Sequence, residues 1–280
     1  MVDRGESVNR LESCSVASAR RVCAMLDLDP SEIVDGAALP RGWQFVLLGA
    51  DTRRSALRGD GFPGLGVPMP DLGLPRLLLG GRAVTYLQDI PIGATLVRTS
   101  AINSLVQKTT DAGPMAIVTI IHELCTQPDA SPALVETQTY LLLPARVDAG
   151  AGEDDDIIAL APATALDDCT IIIVPDETLL FQYSALGFNS HKIHIDKAYA
   201  RDVEGYPELV VNGGLATLLL TEFLRRDLGV VPAALKVRHL APLFCGRPMT
   251  LAARQDGAAW RLKAFNDKGR LAVEMEVTAQ

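Results

Sequence analysis

The sequence predicts an α+β protein in which antiparallel sheet wraps around helix, and three observations carry that expectation. From Gly81 to about Leu143 the chain runs as strand-like segments separated by short turn-like breaks. Further on, "GGLATLLLTEFLRRDLG" is apolar nearly all round in its first turns, a pattern that only a helix enclosed by protein on most sides sustains. Three more strand-like segments follow that helix. A buried helix followed by strands able to wrap it, with a shorter counterpart in the first half, suggests two copies of one architecture.

The elements follow in order. "SVASARRVCAMLDL" places Val16, Ala19, Val22, Cys23 and Leu26 at helical spacing behind a Ser cap. "LPRGWQFVLLG" begins with Pro, carries a compact apolar run and ends at Gly49, which fits a short buried helix. Gly and Pro make "RGDGFPGLGVPMPDLGLP" a long loop, and loops of that length are often functional. Its Gly-x-Gly fragments lack the strand and helix context of a nucleotide loop. "RAVTYL", "ATLVRTSAINSLVQKTT", "PMAIVTIIHELCTQ" and "ALVETQTYLLLP" are the strands of an antiparallel sheet. "ARVDAGAGEDDDIIALAPATALDD" then turns to Gly, Ala and acid, the composition of a solvated connection. We place the domain boundary near Asp156, giving units 1–156 and 157–280. In the second unit "TIIIV" and "TLLFQYSAL" are strand-like, "DKAYARDVEG" is a small helix, and the buried helix stops at Gly229. "AALKVRHLAP", "PMTLAARQ" and "AWRLKAFNDKGRLAVEMEVTA" are strands, the last a hairpin around Asn266 to Gly269.

Composition narrows the function classes. The 280 residues are 48% hydrophobic and 21% charged, enough for two compact units, and disorder is not expected to dominate. A net charge of -8 and a pI near 5.1 argue against nucleic acid, because phosphate contacts need clustered Lys and Arg. No segment approaches the roughly 20 apolar residues of a membrane span. The start, "MVDRGESVNRLESCS", lacks the apolar core of a signal peptide, so a cytoplasmic location is expected. Cys14, Cys23, Cys125, Cys169 and Cys245 are scattered without C-x-x-C spacing, and are read as reduced small hydrophobes rather than metal ligands.

The densest polar chemistry lies in "GFNSHKIHID", Gly187 to Asp196, which holds two of the four histidines. Its surroundings, "FQYSALGFNSHKIHIDKAYARDVEGYPELVVNGGLATLLL", resemble the second half of the MaoC-like hydratases. The resemblance is to their double-hotdog branch of mesaconyl-C4-CoA and itaconyl-CoA hydratases and hydroxyacyl-thioester dehydratases. That branch has F-x-Y-S-A-x-T-F-N-x-H-x-I-H-Y-D, then E-G-Y-P, then V-V-H-G. The stretch from Phe181 to Leu220 matches it in order, spacing and residue type. Support in the first half is looser, through "LPRGWQFVLLG" and "LPRLLLGGR". The resemblance implies a hotdog fold in each half, a sheet around its helix, with a degenerate N-terminal unit on the side of a thioester-binding tunnel and a C-terminal unit carrying the catalytic motif. It also implies hydration of a 2-enoyl thioester, or the reverse, with no metal or organic cofactor.

Such chemistry needs a base for water, a proton source for Cα, and donors for the charge that builds on the thioester oxygen. His194 occupies the position of the family's catalytic histidine, and an unperturbed pKa near ~6.5 suits it to proton exchange. In the wider (R)-specific hydratases the motif is D-x-N-P-x-H. Asn189 stands where that Asp does and His191 where its Asn does. Asn189 would then orient water, and His191 is the expected second proton carrier. Gly213 and Gly214 open the buried helix, where free N–H groups and the helix dipole converge on a site for the thioester oxygen. Asn212 replaces the family's usual His. Asp196 is expected to cap the following helix, Tyr183 to line the tunnel, and His122 and His239 to be structural. "GEDDD" is expected to be solvated linker.

A dicarboxylic acyl group would require a cation at the tunnel's end, and Arg76 and Arg82 are the candidates. Leu77, Leu78 and Leu79 lean the pocket toward apolar chains instead. The expected substrate is a CoA ester of a 2-enoyl or C4-dicarboxylic acid. The alternatives are a carrier-protein-linked 3-hydroxyacyl dehydratase, a non-catalytic hotdog module that binds acyl thioesters and, less favoured, a thioesterase. A homodimer of such chains is the expected assembly, with no nucleic-acid or membrane partner.

Overall fold

The computed structural model describes residues 7–111, 113–127, 131–145 and 169–280. The expected boundary near Asp156 and its acidic linker lie outside the described residues.

Among the described residues, ten strands make one antiparallel sheet. The first half supplies β1 (Val8–Ser13), β2 (Arg76–Tyr86), β3 (Thr95–Thr110), β4 (Gly113–Cys125) and β5 (Leu134–Leu143). The second half supplies β6 (Cys169–Ile173), β7 (Pro232–His239), β8 (Met249–Asp256), β9 (Ala259–Phe265) and β10 (Leu271–Ala279). The spatial order is β1-β3-β4-β5-β2-β7-β10-β9-β8-β6. Read inward from either edge, each half runs first, third, fourth, fifth, second. The duplication that the sequence only suggests is therefore explicit in the topology, and the two halves are joined by β2–β7 pairing from Gly81↔Arg238 to Thr85↔Ala234. β1, absent from the sequence expectations, is legible in hindsight: "VNRLES" alternates half-buried and exposed positions at period two.

Helix α1 (Val16–Met25) begins behind Ser15, whose hydroxyl accepts from Ser18 N, and it buries Ala19, Val22, Cys23 and Met25. Helix α2 (Glu177–Leu186) corrects the strand expected for "TLLFQYSAL". Asp176 caps it by accepting from Leu179 N, and Leu180, Tyr183 and Ser184 are buried at i, i+3 and i+4. A short apolar run fits either period, and the capping aspartate decides it. Helix α3 (Lys197–Asp202) starts at Asp196, which accepts from Tyr199 N at 3.0 Å, the capping role expected of it.

Helix α4 (Gly213–Arg226) is the buried one, with every residue from Gly214 to Leu224 buried. It packs on β8, β9 and β10. At ~1.5–3 kcal/mol for each fully buried Leu or Phe, Leu215, Leu218, Leu220 and Phe223 make it the anchor of the second half. Among the described residues the first half has no helix of that length. A 3₁₀ turn, Trp43–Leu47, takes the place of the expected short helix and docks on α4 through Trp43 Nε1, which donates to Glu222 Oε1 at 2.8 Å. Phe62 and Leu65 of the long loop, with Val67, Met69, Leu72 and Leu74 beside them, cover Leu77, Ala116, Val118 and Ile120 of the first-half sheet. A loop in that position leaves room for a chamber between it and the sheet.

Candidate active site

A cavity of about 330 Å³ opens at the seam between the halves. The first half lines it with Phe62, Leu77, Leu79, Arg82 and Tyr140, and the second half with Asn189, His191, His194, Asn212 and the start of α4. Every candidate catalytic or substrate-binding residue from the sequence lines it except Arg76, which pairs with Glu204 at 3.1 Å and lines a neighbouring chamber of about 940 Å³.

His194 closes a 3₁₀ turn, Lys192–His194, between α2 and α3. Its Nδ1 lies 2.7 Å from the carbonyl oxygen of Val210, an atom that only accepts, so Nδ1 carries the proton and Nε2 keeps its lone pair. Burial, then the neighbouring His191, push its pKa down to about 3, against the pull of the Val210 carbonyl. At neutral pH it is a neutral imidazole with a defined tautomer. His191 lies edge-on to it with ring centroids 5.4 Å apart. Burial lowers the His191 pKa too, opposed by Asp60 and Glu204. Asn189 accepts from the His191 backbone N–H at 3.1 Å through its Oδ1, which leaves its amide NH₂ available to donate.

The first turn of α4 is uncapped. Asn212 stands at the N-cap, but its side chain turns to Ser184 Oγ at 3.2 Å and makes no cap bond. Gly213 and Gly214 line the cavity with the N–H groups that a helix start leaves unpaired. Gly214 has a steric reason as well: a Cβ there would lie 2.1 Å from Tyr183 Oη and 3.3 Å from Arg82 Nη2. Tyr183 stacks on Phe45 at 4.5 Å, and burial raises its pKa to about 12, so it presents a neutral hydroxyl beside the helix start.

Two residues have surroundings that the sequence did not specify. His239, expected to be structural, lines the cavity, and its Cε1 and Nδ1 lie 3.2 and 3.3 Å from where a Cβ on Gly213 would sit. Its Nε2 is buried without a hydrogen-bond partner, and burial, then Arg82, lower its pKa to about 3. The period of β7 put it in a strand correctly and said nothing of which cavity that strand faces. Arg82 lines the cavity but is not a free cation, since its Nε lies 3.3 Å from the fully buried Glu136. Burial, the largest single influence, works against its charge, but Glu136 together with Tyr183, Tyr140 and Tyr86 more than offsets it and keeps the guanidinium protonated. His122 is structural as expected, with Nδ1 2.8 Å from Ser100 Oγ inside the first-half sheet. Asp60, unremarked in the sequence beyond its place in the long loop, lies 3.7 Å from His191 Nε2. Among the described residues no group of three His, Cys, Asp or Glu side chains is placed to hold a metal, and no helix is long and apolar enough to cross a membrane.

The sequence model of the family described as hydroxyacyl-thioester dehydratase type 2 matches residues 42–245. Mesaconyl-C(4)-CoA hydratase of Chloroflexus aurantiacus is 31% identical over 270 residues, covering 94% of this chain and 92% of that protein. The chain belongs to the hydroxyacyl-thioester dehydratase type 2 family. Solved structures agree on the fold of this family member. A MaoC-like dehydratase of Phytophthora capsici superposes with a TM-score of 0.71 at 15% identity, covering 98% of this chain and 95% of its own. A conserved hypothetical protein of Mycobacterium tuberculosis with a double hotdog fold superposes at 0.62 and 14% identity, covering 99% and 96%. The double hotdog implied by the sequence resemblance is therefore the fold, and the matched span contains every residue of the cavity's histidine motif and helix start.

Proposed function

We infer that this protein is a hydro-lyase that adds water to a 2-enoyl thioester, or removes it from a 3-hydroxyacyl thioester, without a metal or organic cofactor. The observation that carries this reading is the pairing, in one cavity, of a neutral His194 whose Nε2 is open with an uncapped helix start at Gly213 and Gly214. In hydration, the Asn189 amide holds the water and His194 Nε2 takes its proton as oxygen bonds to Cβ. The displaced electron pair moves toward the thioester carbonyl, whose oxygen is stabilised by the α4 N–H groups, the positive end of the helix dipole and the Tyr183 hydroxyl. Cα then takes a proton from His191. In dehydration the same groups act in reverse order, so direction follows the supply of substrate.

Leu77, Leu79, Arg82 and Tyr140 line the first-half side of the cavity, and we assign the acyl end to that side. A cavity of about 330 Å³ suits a short acyl group. Arg82 gives that end a cation for the second carboxylate of a C4-dicarboxylic ester, although Glu136 already shares its charge. Arg76, engaged by Glu204, is the less suited of the two. We expect CoA rather than a carrier protein as the thioester's handle, and a cytoplasmic homodimer, a location consistent with five unpaired cysteines.

Asn189 and Asn212 favour a second reading, a module that binds acyl thioesters without turnover. Incubation with crotonyl-CoA and mesaconyl-C4-CoA, following enoyl absorbance and free thiol together, separates the readings. Loss of absorbance without thiol is the result expected here. Thiol release indicates a thioesterase, and binding without either change indicates the module.

A further inference from the structure

The proposed reaction leaves one chemical gap. The wider hydratase motif has a carboxylic acid where this chain has Asn189, and an amide exchanges no protons. His191 is the candidate for that work, but a histidine buried to 6% exposure resists carrying a proton unless a charge stands beside it.

Such a charge comes from the other half of the molecule. Asp60 sits in the long loop before β2 and is itself 9% exposed. Its Oδ2 lies 3.7 Å from His191 Nε2 and its Oδ1 accepts from Phe62 N at 2.9 Å, so the carboxylate is aimed by its own turn. The loop is fastened to the histidine motif at three points. Lys192 N donates to Asp60 O at 2.8 Å, Ser190 Oγ to Gly61 O at 2.7 Å, and Lys192 Nζ to Gly59 O at 2.8 Å. Gly61 holds a positive φ of 77°, and a Cβ there would lie 2.4 Å from Ser190 O, so the close approach requires glycine. Phe62 packs edge-on against the His191 ring at 5.7 Å. His191 lines the catalytic cavity while Asp60 lines the larger chamber beside it, so the pair spans the wall between them.

We propose that Asp60 is the positioning residue for His191, and that the Asp60–His191 pair, assembled across the two halves, supplies the proton exchange at Cα that Asn189 cannot. This rests on the hydro-lyase reading above. With Nε2 turned to Asp60, Nδ1 is the nitrogen left to exchange. In hydration, protonated His191 gives its proton to Cα as the enolate pair forms the C–H bond, while His194 retains the proton taken from water. One proton passing from His194 back to His191 through solvent restores both, and the net change is one water added.

The groups facing His191 set the sign of its response. Asp60 and Glu204 favour the protonated ring, whereas Arg58, which pairs with Asp60 at 3.1 Å, opposes it and Arg76 is taken up by Glu204. His194 of the same turn is neutral, and Lys192 is drawn away to Gly59 O. Removing the Asp60 charge leaves burial and Arg58 opposed only by Glu204, so the His191 pKa must fall.

The test is Asp60→Asn, which keeps an oxygen for Phe62 N, with thermal melting as the control for folding and Asp60→Asn/Arg58→Gln as the variant that also removes the unpaired cation. The His191 ring resonances, assigned with His191→Asn, are titrated by NMR. Their midpoint is expected to move to lower pH by about half a unit or more. With enoyl-CoA, kcat is expected to fall about 10-fold or more with KM nearly unchanged. Asp60→Glu should recover part of it, and Asp60→Asn should add nothing to His191→Asn. An active wild type whose Asp60→Asn variant keeps both its turnover and its His191 titration overturns this role alone. A wild type inert on every enoyl thioester overturns the proposed reaction and this role together.

Discussion

At the scale of single residues, the site depends on where two protons sit and on the absence of one methyl group. His194 is held neutral with Nε2 open, so removing the ring should abolish proton transfer while leaving the fold intact: His194→Ala is expected to lower kcat by ~100-fold or more. Gly214 has no room for a side chain. Gly214→Ala gains up to ~1 kcal/mol of helix propensity but places a Cβ 2.1 Å from Tyr183 Oη. Overpacking at ~1–3 kcal/mol outweighs that gain, so the variant should be less stable by urea unfolding, and adding Tyr183→Phe should restore part of the loss. A Gly214→Ala protein as stable as the parent would mean that the tyrosine moves freely. His194, His191 and Asn189 were legible in the sequence because the motif fixes their order and spacing. Asp60 was not, because its partner lies 131 positions away and only the fold brings the two together.

At the scale of elements, α4 carries the second half and presents its start to the cavity. Leu220 is fully buried, and Leu220→Ala should cost ~2–5 kcal/mol, read as a lower urea midpoint at unchanged slope. Its all-round apolar pattern made α4 plain from sequence, as Asn266 and Gly269 made the last hairpin plain: Asn266 Oδ1 accepts from Lys268 N and Arg270 N, and Gly269 takes a positive φ of 74°. Helix α2 was mistaken for a strand because "TLLFQYSAL" offers apolar residues at both periods, and the deciding Asp176 cap lies two residues before that run. His239 sits correctly in β7, but strand alternation names a face and not what fills the space beyond it.

At the scale of the molecule, the four histidines tie stability to pH. All have pKa values lowered by burial, His122 to about 4 and His194 and His239 to about 3. Above the unfolded value near ~6.5 both states are neutral there and nothing is lost. As pH falls below it the unfolded chain binds protons that the folded chain refuses, so stability declines until the folded values are reached. At pH 5 the loss is on the order of 2 kcal/mol for each of the buried His122 and His194. Urea midpoints at pH 7, 6 and 5 should fall steadily, and His122→Gln should make that fall shallower. A flat series would contradict the burial argument. The duplicated fold itself was only faintly legible, because the halves share a strand order rather than a sequence, and among the described residues the second-half helix has no long equivalent in the first.

The central claim is that one neutral histidine at the seam of two hotdogs performs water addition to an enoyl thioester. The most direct measurement is enoyl absorbance after adding the protein to crotonyl-CoA and, separately, to mesaconyl-C4-CoA, with His194→Ala alongside. The account predicts that absorbance falls with at least one ester, without thiol release, and that the variant abolishes the change. Absorbance that holds steady with both esters while they bind, or that falls equally with His194→Ala, would contradict it.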